Sequence, residues 1–116
     1  MQQRYRLEEI KVAYKKLGLR PCTCSYFTMG SILTVCPLTA LFLFRKYGEV
    51  PDDFPNGDPL SWIKEINYFH NELTSQTYQE AFTTGYDFSK TFREMRNESR
   101  IAREGYADGR KVADSL

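Results

Sequence analysis

The run Thr34-Val35-Cys36-Pro37-Leu38-Thr39-Ala40-Leu41-Phe42-Leu43-Phe44 is where a helix must begin, and its neighbours arrange themselves around it. Proline is tolerated at the first helical position, because its missing N–H would have no intrahelical partner there. Cys36 is therefore the expected N-cap of a helix that runs from Pro37 to Tyr47 and stops at Gly48. Its apolar positions are nearly unbroken, so it has no solvent face, and Leu38, Leu41, Phe42 and Phe44 are expected in the core.

On the N-terminal side, Leu7, Ile10, Tyr14 and Leu17 recur at helical spacing, with Val12 and Ala13 widening the face. This predicts an amphipathic helix over 2–17, closed by Gly18 as a left-handed C-cap. Residues 19–35 are the least helical. Cys22 to Thr28 and Ile32 to Val35 are β-branched and aromatic, and a short hairpin turning at Gly30-Ser31, or an irregular segment, is expected between them.

On the C-terminal side, three prolines, Asn56-Gly57 and Asp52, Asp53 and Asp58 mark 49–59 as a connector. Asp58-Pro59 reads as N-cap and first turn of a further helix, with Trp62, Ile66, Phe69 and Leu73 on one face and Leu60 and Ile63 beside them. That helix ends near Thr74, and Ser75 is placed to cap the next. From Tyr78 a 3.5-residue seam follows: Tyr78, Ala81, Gly85, Phe88, Phe92, Met95, Ser99, Ala102, Tyr106, Gly109 and Ala113. As one helix, residues 78–113 would run about 54 Å, against roughly 35 Å for the width of a domain this size. The weak helix formers Thr83 to Ser89 are the expected break. The fold class is therefore mostly α: one helical domain over 1–116, with four or five helices in an orthogonal or bundle-like arrangement and a short hairpin or irregular segment near 19–35.

The aromatic content of 15% points to an aromatic-rich core. Net charge is only +1, but it is laid down in blocks. Residues 1–48 carry eight Lys and Arg against two Glu, and residues 49–80 carry seven acids against Lys64. Such blocks match one another, or a second copy, better than they match nucleic acid. Residues 21–44 hold no charge, yet Pro21, Pro37 and several Ser and Thr interrupt them, so a buried loop and helix fit better than a membrane span. The first twenty residues are charged and helical in pattern, unlike a signal sequence. With three cysteines, two of them one residue apart, the thiols are expected to be reduced and the chain cytoplasmic.

Ala13-Tyr14-Lys15-Lys16-Leu17-Gly18-Leu19-Arg20-Pro21, Cys36-Pro37-Leu38-Thr39-Ala40-Leu41, the run from Tyr78 to Asp87 ending in Gly85-Tyr86-Asp87, and Glu104-Gly105-Tyr106-Ala107-Asp108-Gly109, in this order, resemble a group of small bacterial proteins of unknown function. The resemblance implies a small, mostly helical protein and names no activity. In that group a glycine commonly follows the Tyr-Asp pair; Phe88 stands there in this chain.

Candidate chemistry is sparse. Cys22, Cys24, Cys36 and His70 have the ligand count of a zinc site, but the one-residue gap between the first two is shorter than zinc sites use. Cys36 at a helix N-terminus is the sharper idea, since that position lowers a thiol pKa, and His70 is the one histidine available as a base. Against this, buried cysteines commonly serve as small hydrophobes, and His70 beside Phe69 reads as a flank residue with its polar tip in water. Arg93, Arg96, Arg100, Arg103 and Arg110 form a row, but Glu94, Glu98, Glu104 and Asp108 interleave with it, which argues against phosphate tracking. Phosphate loops and paired metal-binding histidines have no counterpart here.

The expectation is a non-enzymatic, self-associating interaction module with no cofactor and no membrane partner. Phe92, Met95, Ala102 and Tyr106 are its interface stripe and Arg93, Arg100 and Arg103 the flanking charges of a homodimer. The alternatives are thiol- or metal-dependent activity centred on Cys36, and nucleic-acid binding through the Arg93–Arg110 row.

Overall fold

The structure, a computed structural model, describes residues 5–23, 26–28 and 31–116. It is mostly helical, with α1 (Leu7–Leu17), α2 (Pro37–Lys46), α3 (Pro59–Leu73), α4 (Gln76–Asp87), α5 (Phe92–Met95) and α6 (Arg100–Ser115). The sixth helix beyond the expected four or five is α5, a single turn built on a capping box between Thr91 and Glu94. Three two-residue strands, β1 (Arg20–Pro21), β2 (Phe27–Thr28) and β3 (Thr34–Val35), form a sheet in the order β1-β3-β2. The chain divides into two compact units: residues 8–70, and residues 71–116 with the segment up to Leu7.

In the first unit, α2 is the centre. Cys36 takes extended geometry as N-cap, Pro37 opens the helix, and every residue from Pro37 to Leu43 is buried. Phe44 falls just short of that, at the point where the helix turns outward. Gly48 ends the helix at φ +69°, a left-handed value that costs glycine little. The expected hairpin is present: β2 pairs antiparallel with β3, Phe27 opposite Val35 and Thr28 opposite Thr34. Its Gly30 lies outside the described residues. Composition did not reveal that β1 would join β3 in parallel, with Arg20 opposite Thr34. This sheet feeds straight into α2, since the Cys36 N–H donates to the Tyr26 carbonyl at 3.0 Å.

Rings fill the space around α2. Phe42 meets Trp62 and Phe69 edge to face, Trp62 meets Tyr47 and Phe54, and Phe54 meets Phe27. Such pairs contribute about 0.5–1.5 kcal/mol beyond their burial. Phe54, buried in the connector, precedes a cis Pro55. From α1, Ile10, Ala13 and Tyr14 face inward, and the Tyr14 hydroxyl donates to the Val35 carbonyl at 2.6 Å. Arg45 grips Glu9 through two bonds of 2.6 Å, tying α1 to α2 and holding the Glu9 carboxyl below its usual range. Val12 and Leu60, expected on inward faces, are exposed, because each stands beside its stripe rather than on it.

The second unit rests on the approach of α4 to α6. A Cβ added to Gly85 would lie 2.1 Å from the Tyr106 carbonyl oxygen, one on Gly109 2.1 Å from that of Phe82, and one on Gly105 2.5 Å from that of Tyr78. Small residues four apart on each helix, Ala81 and Gly85 against Gly105 and Gly109, let the backbones touch. The break between them falls where the weak helix formers placed it. Phe88 caps α4 in the left-handed conformation at φ 56°, doing without the glycine such a position favours. Ser75 and Ser99 cap α4 and α6, each accepting from a backbone N–H at 3.2 Å.

Two substitutions probe these cores. Leu41→Ala should cost about 2–5 kcal/mol in denaturant melts, as for a fully buried leucine. Gly109→Ala should lose about 1–3 kcal/mol by overpacking, although alanine is worth about 1 kcal/mol more than glycine in a free helix. A Gly109→Ala variant as stable as the parent would show that the helices do not touch.

Candidate functional site

Cys36 sits where a helix N-terminus would activate it, at the junction of β3 and α2. Its surroundings do the opposite. The thiol is buried, Sγ lies 3.2 Å from the Thr39 hydroxyl, and burial pushes its pKa up despite the opposing pull of Thr39 and the backbone of the first turn. The expected activation is corrected on this physical ground: losing water costs a thiolate more than the N-terminal dipole returns.

His70 is also corrected. It does not carry its tip into water; it is 6% exposed, on the inner side of α3 next to Phe69. The Leu38 carbonyl, in the first turn of α2, favours its protonated form, but burial outweighs this and pulls the pKa down to about 4. Its Nε2 is buried without a hydrogen-bond partner. His70 is buried because α3 covers a wider arc than the Trp62, Ile66, Phe69 and Leu73 stripe.

Cys22 is disulfide-bonded, whereas Cys36 is a buried thiol outside any disulfide. The expectation of three reduced thiols is corrected at Cys22, since spacing does not settle cysteine pairing. A sulfur in a disulfide is no thiolate ligand, and among the described residues no three His, Cys, Asp or Glu side chains converge to hold a metal ion. Cys24 lies outside the described residues. No described helix is long and apolar enough to cross a membrane.

In the second unit the expected interface stripe is mostly spent internally. Met95, Ala102 and Tyr106 are buried with Ala81 in one cluster, and the Tyr106 hydroxyl donates to the Lys90 carbonyl. The argument that these residues await a partner is thereby overturned: the chain turns back at Phe88 and covers them itself. Phe92 is different. It lies edge-on to Tyr106 yet is 63% exposed. Phe88, 54% exposed, lies 4.2 Å beneath the Arg110 guanidinium. Tyr106 and Arg110 are one turn apart on α6, so the two phenyl rings stand over adjacent turns of one surface. Arg93, Arg96, Arg100 and Arg103 are exposed in this segment. Arg100 pairs with Glu104 at 3.1 Å, while Arg93, Arg96 and Arg103 form no ion pair among the described residues.

A polar chain runs through the same unit. Tyr5 donates to the Tyr78 hydroxyl at 3.3 Å, and Tyr78 donates to the Asp108 carboxylate at 2.5 Å. Burial, then Tyr5 and Asp108, hold the Tyr78 proton in place far above the normal phenol range, so the chain orients groups and does not release protons. Sequence reasoning placed Tyr78 in the seam and Asp108 among the acids beside the Arg row; their partnership needs the α4–α6 register.

No protein-family model, no curated protein and no solved structure matches this chain.

The buried histidine makes a pH prediction. Above about pH 6.5 the ring is neutral in both folded and unfolded chains, and full stability is present. As pH falls, the unfolded chain takes up its proton first, and stability declines until the folded ring protonates near 4. The loss should reach about 3 kcal/mol at pH 4. Denaturant melts of His70→Phe should lack this slope, the difference from the parent isolating it from the carboxylates. Parallel pH profiles would exclude a neutral buried His70.

Proposed function

We propose that this chain is a non-enzymatic interaction module that associates with copies of itself. The observation that supports it best is the surface around Phe88 and Phe92. Two exposed phenyl rings stand over adjacent turns of α6, one under Arg110, and Lys90, Arg93 and Arg96 are exposed on the same segment, which is fastened by the Thr91–Glu94 capping box and the Tyr106–Lys90 bond. Burying large apolar side chains is worth about 1.5–3 kcal/mol each, and contiguous exposed ones rimmed by polar groups mark interaction sites. The groups with most chemical potential, Cys36 and His70, are closed to solvent, with the thiol held protonated and the imidazole neutral. Their placement suits a core better than a reaction.

Light scattering at micromolar concentration tests the reading. The expected mass is twice the 13.6 kDa of the chain, falling towards the single-chain value on dilution and in Phe88→Ser/Phe92→Ser. A concentration-independent mass of 13.6 kDa would reject self-association.

A further inference from the structure

The same chain carries a second exposed surface of opposite charge. Residues 49–70 hold five carboxylates, Glu49, Asp52, Asp53, Asp58 and Glu65, against Lys64, and all six side chains lie at the surface. At the N-terminus of α3 this acidic surface presents Leu60, 72% exposed and two residues from Asp58. Residues 88–103 are its complement: five cations, Lys90, Arg93, Arg96, Arg100 and Arg103, against Glu94 and Glu98, with Phe88 and Phe92 as the apolar element. Each surface thus combines an exposed apolar tip with an excess of one charge.

We propose that the Phe88–Phe92 surface, with Arg93 and Arg96, receives Leu60 and the acidic Asp52, Asp53 and Asp58 of a second copy, the contact being made twice about a two-fold axis. The proposal rests on the self-association reading and names its partner surface. Complementary charge steers the encounter and sets the register, while the two rings and Leu60 provide the desolvated centre. In the two-fold arrangement each copy's surface of one kind meets the other copy's surface of the other kind, so both contacts are made within one dimer. Nucleic acid is the weaker occupant: Glu94, Glu98 and Glu104 interrupt the cations, whereas a second copy supplies the acidic counterpart at equal concentration.

A charge-swap experiment on the full chain tests it. Arg93→Glu/Arg96→Glu and Asp52→Lys/Asp53→Lys, checked for folding by far-UV circular dichroism, should each dimerise about tenfold or more weakly by light scattering. Mixed in equal amounts, they should recover a dimer, since both contacts in the mixed pair again join opposite charges. Parent association should weaken with added salt. If the parent dimerises and a folded charge variant does so equally well, the proposal is wrong and self-association lies elsewhere. A monomeric parent overturns proposal and reading together. A monomeric parent that retains single-stranded DNA in a salt-dependent way, lost in Arg93→Glu/Arg96→Glu, reassigns the surface to nucleic acid. Should either charge variant misfold, Leu60→Ser, which changes an exposed side chain, is expected to weaken the dimer, and an unchanged dimer counts against the proposal.

Discussion

Direct backbone contact between α4 and α6 is the constraint on which the C-terminal unit depends. Gly85, Gly105 and Gly109 stand where any side chain would strike a carbonyl of the opposite helix. At that separation the larger neighbours have fixed places. Tyr106 is forced into the cluster with Ala81, Met95 and Ala102, and Tyr78 comes within reach of Asp108. The segment after α4 returns along α6, with Phe88 at Arg110 and then Phe92 one turn back at Tyr106. That return leaves Phe88 and Phe92 lying on the outside of α6. The exposed aromatic surface is therefore a consequence of the glycine contact.

The other unit solves a different problem by different means. A helix apolar on all sides must be surrounded, and α2 is buried from Pro37 to Leu43 with rings packed against it. The small sheet matters less for its six residues than for where it delivers the chain. It carries the Cys36 N–H to the Tyr26 carbonyl and the Val35 carbonyl to the Tyr14 hydroxyl, so the entry to α2 is held from two directions. Among the described residues one buried side-chain atom stays outside this economy of partners, Nε2 of His70. Leaving a buried polar group unsatisfied costs about 1–3 kcal/mol, and its neutrality is what keeps that cost from rising further.

The first unit illustrates how burial redirects chemistry. A cysteine at a helix N-terminus and a histidine near the same turn suggest a nucleophile and its base. Removal from water reverses both tendencies, raising the thiol and lowering the imidazole, so that each settles in its neutral form. What is left on the surface is charge and aromatic area, arranged in opposite senses on the two surfaces. That division is the feature on which the proposed self-association rests.

Local pattern determined much of this protein by itself. The start of α2 at Cys36-Pro37, the caps Asp58, Ser75, Gly18 and Gly48, the hairpin strands and the stop before Ser89 follow from rules that act within a few residues, so they were legible. So was the mixture of small and large residues along the last seam, although not which of them would meet. Only tertiary structure decided that Met95 and Tyr106 are covered within their own unit while Phe92 is not, that Phe54 in a proline-rich connector belongs to a core, and that His70 lies inside. Periodicity gives the face of a helix but not the width of the arc its neighbours cover. A pKa depends on water excluded by residues distant in the chain, and a helix contact made through glycine carries no hydrophobic signal. Those quantities exist only once the segments have packed.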